Sequence, residues 1–163
     1  VMDLYNDLGQ RGEFDHTEVY ASGPIQKRFQ EDGLWSKDKG RMLITDPEDR
    51  IIGDIGFHRL DEFELEIGYR MLSTAERGKG VMTKALNLFS SYLFMTMPIH
   101  RLRLQIAADN VPSIRLAEKC GYQKEGVLRQ GYFYRGRQVD FVIYGMLREE
   151  AQDFETLLAD YGG

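Results

Sequence analysis

The chain is poor in the residues that build covalent or metal-centred sites. Its single cysteine, Cys120, has no partner for an internal disulfide, and the three histidines, His16, His58 and His100, are too scattered to form a Cys/His ligand set. No metal site is expected, and a reducing compartment, the cytoplasm, fits this cysteine usage. Long apolar runs are also missing. The longest, Phe141 to Leu147 with Gly145 included, falls far short of the ~20 residues a membrane helix needs, and no signal-peptide pattern opens the chain. Nor is positive charge in excess: Lys and Arg number 21 against 26 Asp and Glu, a net charge of -5. No broad cationic surface is available for a phosphate backbone, so neither nucleic acid nor membrane is an expected partner. With only 4 prolines and no repeat or low-complexity tract, nothing marks a domain boundary, and residues 1–163 are expected to form one domain.

What is present reads as an α+β chain. Val1 to Gly9 resembles a helix already under way, which implies a preceding segment. Ser22-Gly23-Pro24 offers an N-cap and a first-turn proline for a helix over Ile25 to Glu31. Three strand-like runs follow, Arg41 to Thr45, Arg50 to Phe57 and Phe63 to Met71, joined by hairpin-length connections and therefore antiparallel. From Val81 the period lengthens: Val81, Ala85, Leu88, Phe89, Tyr92 and Leu93 fit one buried helical face, with Phe94, Met95 and Met97 as core filler. Pro98 ends that helix, and Arg101 to Ile106 alternates as a strand expected to run parallel to its predecessor. A helix from Pro112 to Gly121, strands over Tyr122 to Arg129 and Gln138 to Leu147 around a turn region at Tyr132 to Arg137, and a polar surface helix from Glu149 to Leu158 complete the order.

Chemistry concentrates at Glu76-Arg77-Gly78-Lys79-Gly80-Val81-Met82-Thr83, where two glycines and two cations meet a strand-to-helix junction. A helix N-terminus leaves backbone N–H groups unpaired, and glycine lets an anion reach them; the same residues also make an ordinary tight turn. The spacing excludes a P-loop, which needs four residues between its first glycine and Gly-Lys-Ser/Thr. It also excludes a dinucleotide fingerprint, which needs a glycine where Thr83 stands. Gly68, isolated in a strand, suggests a bulge that either opens the sheet or only twists it.

The run Arg77-Gly78-Lys79-Gly80-Val81-Met82 resembles the Gln/Arg-x-x-Gly-x-Gly/Ala signature of the GNAT acyltransferase superfamily, with Met82 standing where the signature has a small residue. Glu66-Ile67-Gly68-Tyr69, Asn110-Val111-Pro112-Ser113 and Glu118-Lys119-Cys120-Gly121-Tyr122 extend the likeness across Arg41 to Leu147. In that spacing the chain is similar to the branch that acetylates ribosomal-protein N-termini, polyamines and small amines. The resemblance implies a GNAT fold, a mixed and mainly antiparallel sheet whose splayed parallel pair holds acetyl-CoA. It assigns the diphosphate to Arg77, Gly78, Lys79, Gly80, Val81, Met82 and Thr83, and the pantetheine arm to Met71, Leu72 and Asn110.

The same resemblance gives the acetylation roles. An acceptor ammonium of pKa ~10.4 must lose a proton at a cost of about 4 to 5 kcal/mol at neutral pH. Glu66 is the candidate base, with Glu64 on the same face in reserve; a solvated strand face is the alternative for both. Ser113 resembles the serine that the ribosomal-protein branch places near the sulfur, while Ala117 stands where many relatives carry a tyrosine proton donor; a helix cap is the alternative for Ser113. Tyr132 and Tyr134 with Asp140 form the expected acceptor wall, or else a hairpin packed against the core or a second copy in a homodimer. Cys120 is a poor candidate nucleophile, since nothing beside it lowers a thiol pKa. The implied activity is N-acetylation of a primary amine by direct attack. A non-catalytic acyl-CoA sensor and an enzyme for longer acyl groups are the rival readings.

Overall fold

The computed structural model describes residues 13–14 and 21–161; the helix expected over Val1 to Gly9 lies outside them. Its elements are α1 (Ser22–Asp32), β1 (Lys39–Thr45), β2 (Ile51–Arg59), β3 (Glu64–Met71), α2 (Val81–Thr96), β4 (Arg101–Ala107), α3 (Val111–Lys119), β5 (Gln123–Tyr134), β6 (Arg137–Leu147) and α4 (Phe154–Tyr161). One sheet of order β1-β2-β3-β4-β6-β5 carries them. The short connections give antiparallel pairs, and β3 and β4, joined through α2, pair in parallel. The α+β architecture with one parallel pair is the one expected.

That parallel pair is short. β3 and β4 are in register only at Glu64 with Arg101, Leu65 with Leu102 and Glu66 with Arg103. Beyond this, β3 stays with β2 as far as Met71 opposite Gly53, and β4 stays with β6 as far as Ala107 opposite Phe141. The sheet therefore opens between two intact half-sheets. No bulge causes it: Gly68 pairs with Gly56 in an unshifted register, so the expected bulge is corrected to a simple parting of strands.

Local chemistry explains the other departures. At α1 the N-cap position is Ala21, with no side-chain acceptor, so Ser22 opens the helix rather than capping it, and Gly33 closes it in the left-handed region at φ 62. The expected turn region Tyr132 to Arg137 is strand almost throughout. Only Arg135 and Gly136 turn, both at positive φ, as a two-residue hairpin requires. On α2 the buried face is Met82, Leu86, Phe89 and Leu93 and spreads to Ser90, Ser91 and Phe94. It is rotated and widened from the expected face because α4 covers a second side, where Asn87 donates to Tyr161 and Ser91 to the Gln152 carbonyl. Met95 falls outside that face and is exposed, while Phe94 is buried and Met97 packs against the core.

The core lies between α2 and the sheet, with Leu65, Leu86, Leu93, Ile99 and Leu102 all 1% exposed or less. Trp35 stands edge-on to Phe57, Phe89 and Tyr92, pinning the segment after α1 to this layer. Past the end of α2, Arg148 donates to the carbonyls of Phe94, Met97 and Ile99, a cationic cap on a helix C-terminus. Because Leu102 is the last fully buried pair position before the strands part, Leu102→Ala is expected to lower unfolding free energy by about 2 to 5 kcal/mol. Chemical denaturation with an unchanged m-value checks this.

Candidate functional site

The junction before α2 is built by its two glycines. Gly78 and Gly80 sit at φ 78 and 81, a region costly for other residues, and a Cβ at either would meet nothing within 4 Å. The glycines thus set the turn and leave the space above it open. No side chain caps α2, so its first N–H groups have no side-chain acceptor. They face a cleft of about 590 Å³ lined by Gly78, Gly80, Val81, Met82 and Thr83, with Arg77, Arg115 and Lys119 around it. Arg115 and Lys119 were missed in the sequence reading, although their i, i+4 spacing on α3 carries the signal. Lys79 is not in the lining itself; its ammonium bonds Glu76, which is, at 2.9 Å.

Strand alternation decides which backbone groups face the opening. Leu72 donates its N–H to the Ile52 carbonyl at 2.8 Å and is buried, so it points back toward β2 and not into the gap. Even-numbered residues of β3 bond β2, which leaves the backbone edges of Tyr69 and Met71 toward the opening. Both line the cleft. Of the expected pair Met71 and Leu72, only Met71 turns its backbone edge to the opening, and Tyr69 does so beside it.

A second hollow of about 450 Å³ lies on the far side of the opening. It shares Phe14, Tyr69, Arg70, Asn110 and Ser113 with the first, so the two are halves of one cleft. At the boundary the Tyr69 hydroxyl and Ser113 Oγ are 2.6 Å apart. Burial pushes the Tyr69 phenol up to about 12, so it stays protonated across the physiological range. Asn110 accepts the Ser113 N–H at 3.3 Å and caps α3, so the cap role belongs to Asn110 and Ser113 keeps its hydroxyl for other partners. Ala117, where a tyrosine was sought, is fully buried in the core.

Tyr132 and Tyr134 line the far half, Tyr132 stacked on Phe141 at 4.9 Å, while Phe133 between them points out. The expected carboxylates are placed otherwise. Asp140 is not in the lining; it accepts the Gln130 N–H at 2.8 Å and holds the irregularity in β5. Glu64 is not in the lining either, because Arg101 and Arg103 donate to its two oxygens at 2.8 to 3.0 Å. Glu66 lies behind His58, its Oε1 3.6 Å from the imidazole. Its Oε2 is buried with no hydrogen-bond partner among the described residues. Burial pushes its carboxyl above the ordinary range, against weaker attraction from His58, Gln105 and Arg103. His58, which the sequence reading did not single out, lines the cleft in its place. Burial raises the Cys120 thiol to about 11, which keeps it from the thiolate form at neutral pH. Among the described residues no His/Cys/Asp/Glu group could hold a metal.

A family comparison decides what this arrangement belongs to. The profile of the acetyltransferase (GNAT) domain matches residues 10–123. The chain belongs to this family. Among curated relatives, the uncharacterized N-acetyltransferase p20 of Bacillus licheniformis is 32% identical over 110 residues, which are 66% of this chain and 61% of that protein. The spermidine N(1)-acetyltransferase of Vibrio cholerae is 28% identical over 106 residues, 61% of this chain and 58% of that one. The matches thus span less than two thirds of these GNAT relatives' own lengths. A solved structure of the Vibrio cholerae enzyme with CoA and spermine superposes with a TM-score of 0.75 at 21% identity, covering 91% of this chain and 88% of that one, a likeness of fold.

The raised Glu66 carboxyl has a consequence for stability. Between the ordinary value of 4.5 and the raised one, the folded GNAT chain binds a proton that the unfolded chain does not. Stability therefore falls as pH rises through that window, and the full cost is present above it. Glu66→Gln is expected to melt higher than the parent at pH 7, with the advantage shrinking as pH falls toward 4.5, in thermal unfolding followed across pH.

Proposed function

We propose that this chain is an acetyl-CoA-dependent N-acetyltransferase that moves acetyl to a primary amine by direct attack. The observation that carries the reading is the single cleft. It runs from the N–H groups of α2 that no side chain caps, along the edge of β3 that β4 leaves, where Arg77 reaches the Met71 carbonyl at 3.4 Å, to a second half lined by aromatic and charged side chains. Helix N–H groups with Arg77, Arg115 and Lys119 suit a diphosphate, and the open space over Gly78 and Gly80 lets it approach. The backbone edges of Tyr69 and Met71 suit the amides of a pantetheine arm, which would add to β3 as a strand does.

The proton inventory follows from the same geometry. His58 reaches the acceptor half and Glu66 stands behind it, so the pair takes the ammonium proton, directly or through water. At the other end the protonated Tyr69 phenol and Ser113 Oγ share a 2.6 Å hydrogen bond that either hydroxyl can donate. When the phenol donates, the serine proton is free for the sulfur, and because an ordinary thiol has a pKa of ~8.5, the thiolate leaves without strong acid help. Holding donor and acceptor side by side replaces an encounter in solution with a near-attack geometry. The sequence resemblance taken alone points the acceptor toward the ribosomal-protein or polyamine branch.

Two measurements test the reading. Calorimetry should register acetyl-CoA binding, weakened at least tenfold in Gly80→Val, whose strained turn also crowds the approach to the helix N–H groups. Multi-turnover release of CoA thiol should depend on added amine; tight binding without release favours the sensor. Turnover is expected to fall about tenfold or more in Glu66→Gln and severalfold in Tyr69→Phe, with acetyl-CoA affinity changed less than about twofold. Unaltered turnover in Glu66→Gln removes the carboxylate from the proton path.

A further inference from the structure

We infer that the acceptor amine also carries a carboxylate, as a small amino acid does, and that polycationic amines are disfavoured. This rests on the acetyltransferase reading and names the substrate class of its acceptor half. Among the described residues, the charged side chains lining that half are Arg28, Lys39, Arg41, Arg70 and, when protonated, His58, against one carboxylate, Asp54. Asp54 is only 4% exposed, and its oxygens are taken: Arg41 donates to Oδ1 at 3.0 Å and Arg70 to Oδ2 at 3.3 Å. It offers nothing to an incoming cation.

Of the neighbouring carboxylates, Glu64 is clasped by Arg101 and Arg103 and Asp140 holds the Gln130 backbone, while Glu66, whose buried Oε2 has no partner among the described residues, stands behind His58 and outside the lining. A polyamine needs a carboxylate near each of its charges, and this half presents none that is free. An anion meets the opposite situation. Lys39, exposed on the first residue of β1, forms no ion pair among the described residues and borders the same hollow. A carboxylate there would face the Lys39 ammonium beside Arg28, Arg41 and Arg70, which pair with Asp32 and Asp54 but still outnumber them. The same field lowers the pKa of an amine beside it, easing the proton loss that the reaction requires. A volume of about 450 Å³ is of small-molecule size.

Amine-dependent CoA release tests this with 4-aminobutanoate and 5-aminopentanoate, each against its own amide, and with spermidine. Each acid is expected to show kcat/KM at least tenfold above its amide and above spermidine, the ratio shrinking with added salt. Equal rates, or a preference for spermidine, overturn the inference and leave the acetyltransferase reading standing. If no amine releases CoA, calorimetry on the CoA-loaded protein decides. Binding of the acids but not of the amides or spermidine supports the inference, and the absence of any such difference overturns it. Lys39→Glu is expected to cut the acid-to-amide ratio at least fivefold with an unchanged melting temperature; an unchanged ratio overturns the charge basis proposed for the site.

Discussion

Three residue pairs hold β3 to β4, and the candidate site exists because a fourth does not form. Each strand remains bound to its other neighbour well past that point, so the backbone groups are lost on one side only. Unpaired N–H and C=O groups are costly when they find neither protein nor water, and an open edge inside a sheet invites another extended chain. In this fold the edge gives onto a cleft rather than onto a sheet neighbour. Tyr69 spans the boundary to Ser113 and ties β3 to the start of α3, holding the opening at one width.

The polar face of the sheet shows how strongly charge is organised around that opening. Glu64 joins Arg101 and Arg103, Arg101 also pairs with Glu125, and Asp54 joins Arg41 and Arg70. Each pair crosses between strands, so the sheet itself brings these carboxylates to guanidinium donors. Glu66 stands apart from this pattern. It shares the face, but its nearest charged partner is an imidazole at 3.6 Å, Gln105 and Arg103 add only weaker attraction, and Oε2 has no hydrogen-bond partner among the described residues. A partly buried carboxylate with a weak partner is the kind of group whose proton affinity rises, and it sits at the last residue before the strands separate.

Periodicity was sufficient for the elements and their order, because Arg101 to Ile106 alternates cleanly and the change of period at Val81 marks α2. It did not reveal which face of α2 is buried, since that depends on α4 returning to cover a second side. The glycine junction was legible for a physical reason: positive φ and open space both demand glycine, and sequence displays glycine directly. Roles of single carboxylates were not. Glu64, Glu66 and Asp140 are equivalent in sequence, and only cross-strand partners such as Arg103, His58 and the Gln130 amide separate them. Leu72 was misread for a comparable reason, because the side to which a backbone group points is set by register with β2.

The departure at Ala117 fits the same logic. That position is completely enclosed in the core, so a tyrosine there would have to displace packed neighbours, a change that overfills a close-packed interior. The aromatic hydroxyl at this boundary comes instead from β3, where Tyr69 reaches Ser113 from the opposite wall. Supplying it from the strand couples two features that sequence lists separately. The residue whose backbone edge faces the opening also carries the hydroxyl at the junction of the two halves. A shift of β3 would therefore move both together, so the geometry of the opening and the placement of that hydroxyl are a single constraint.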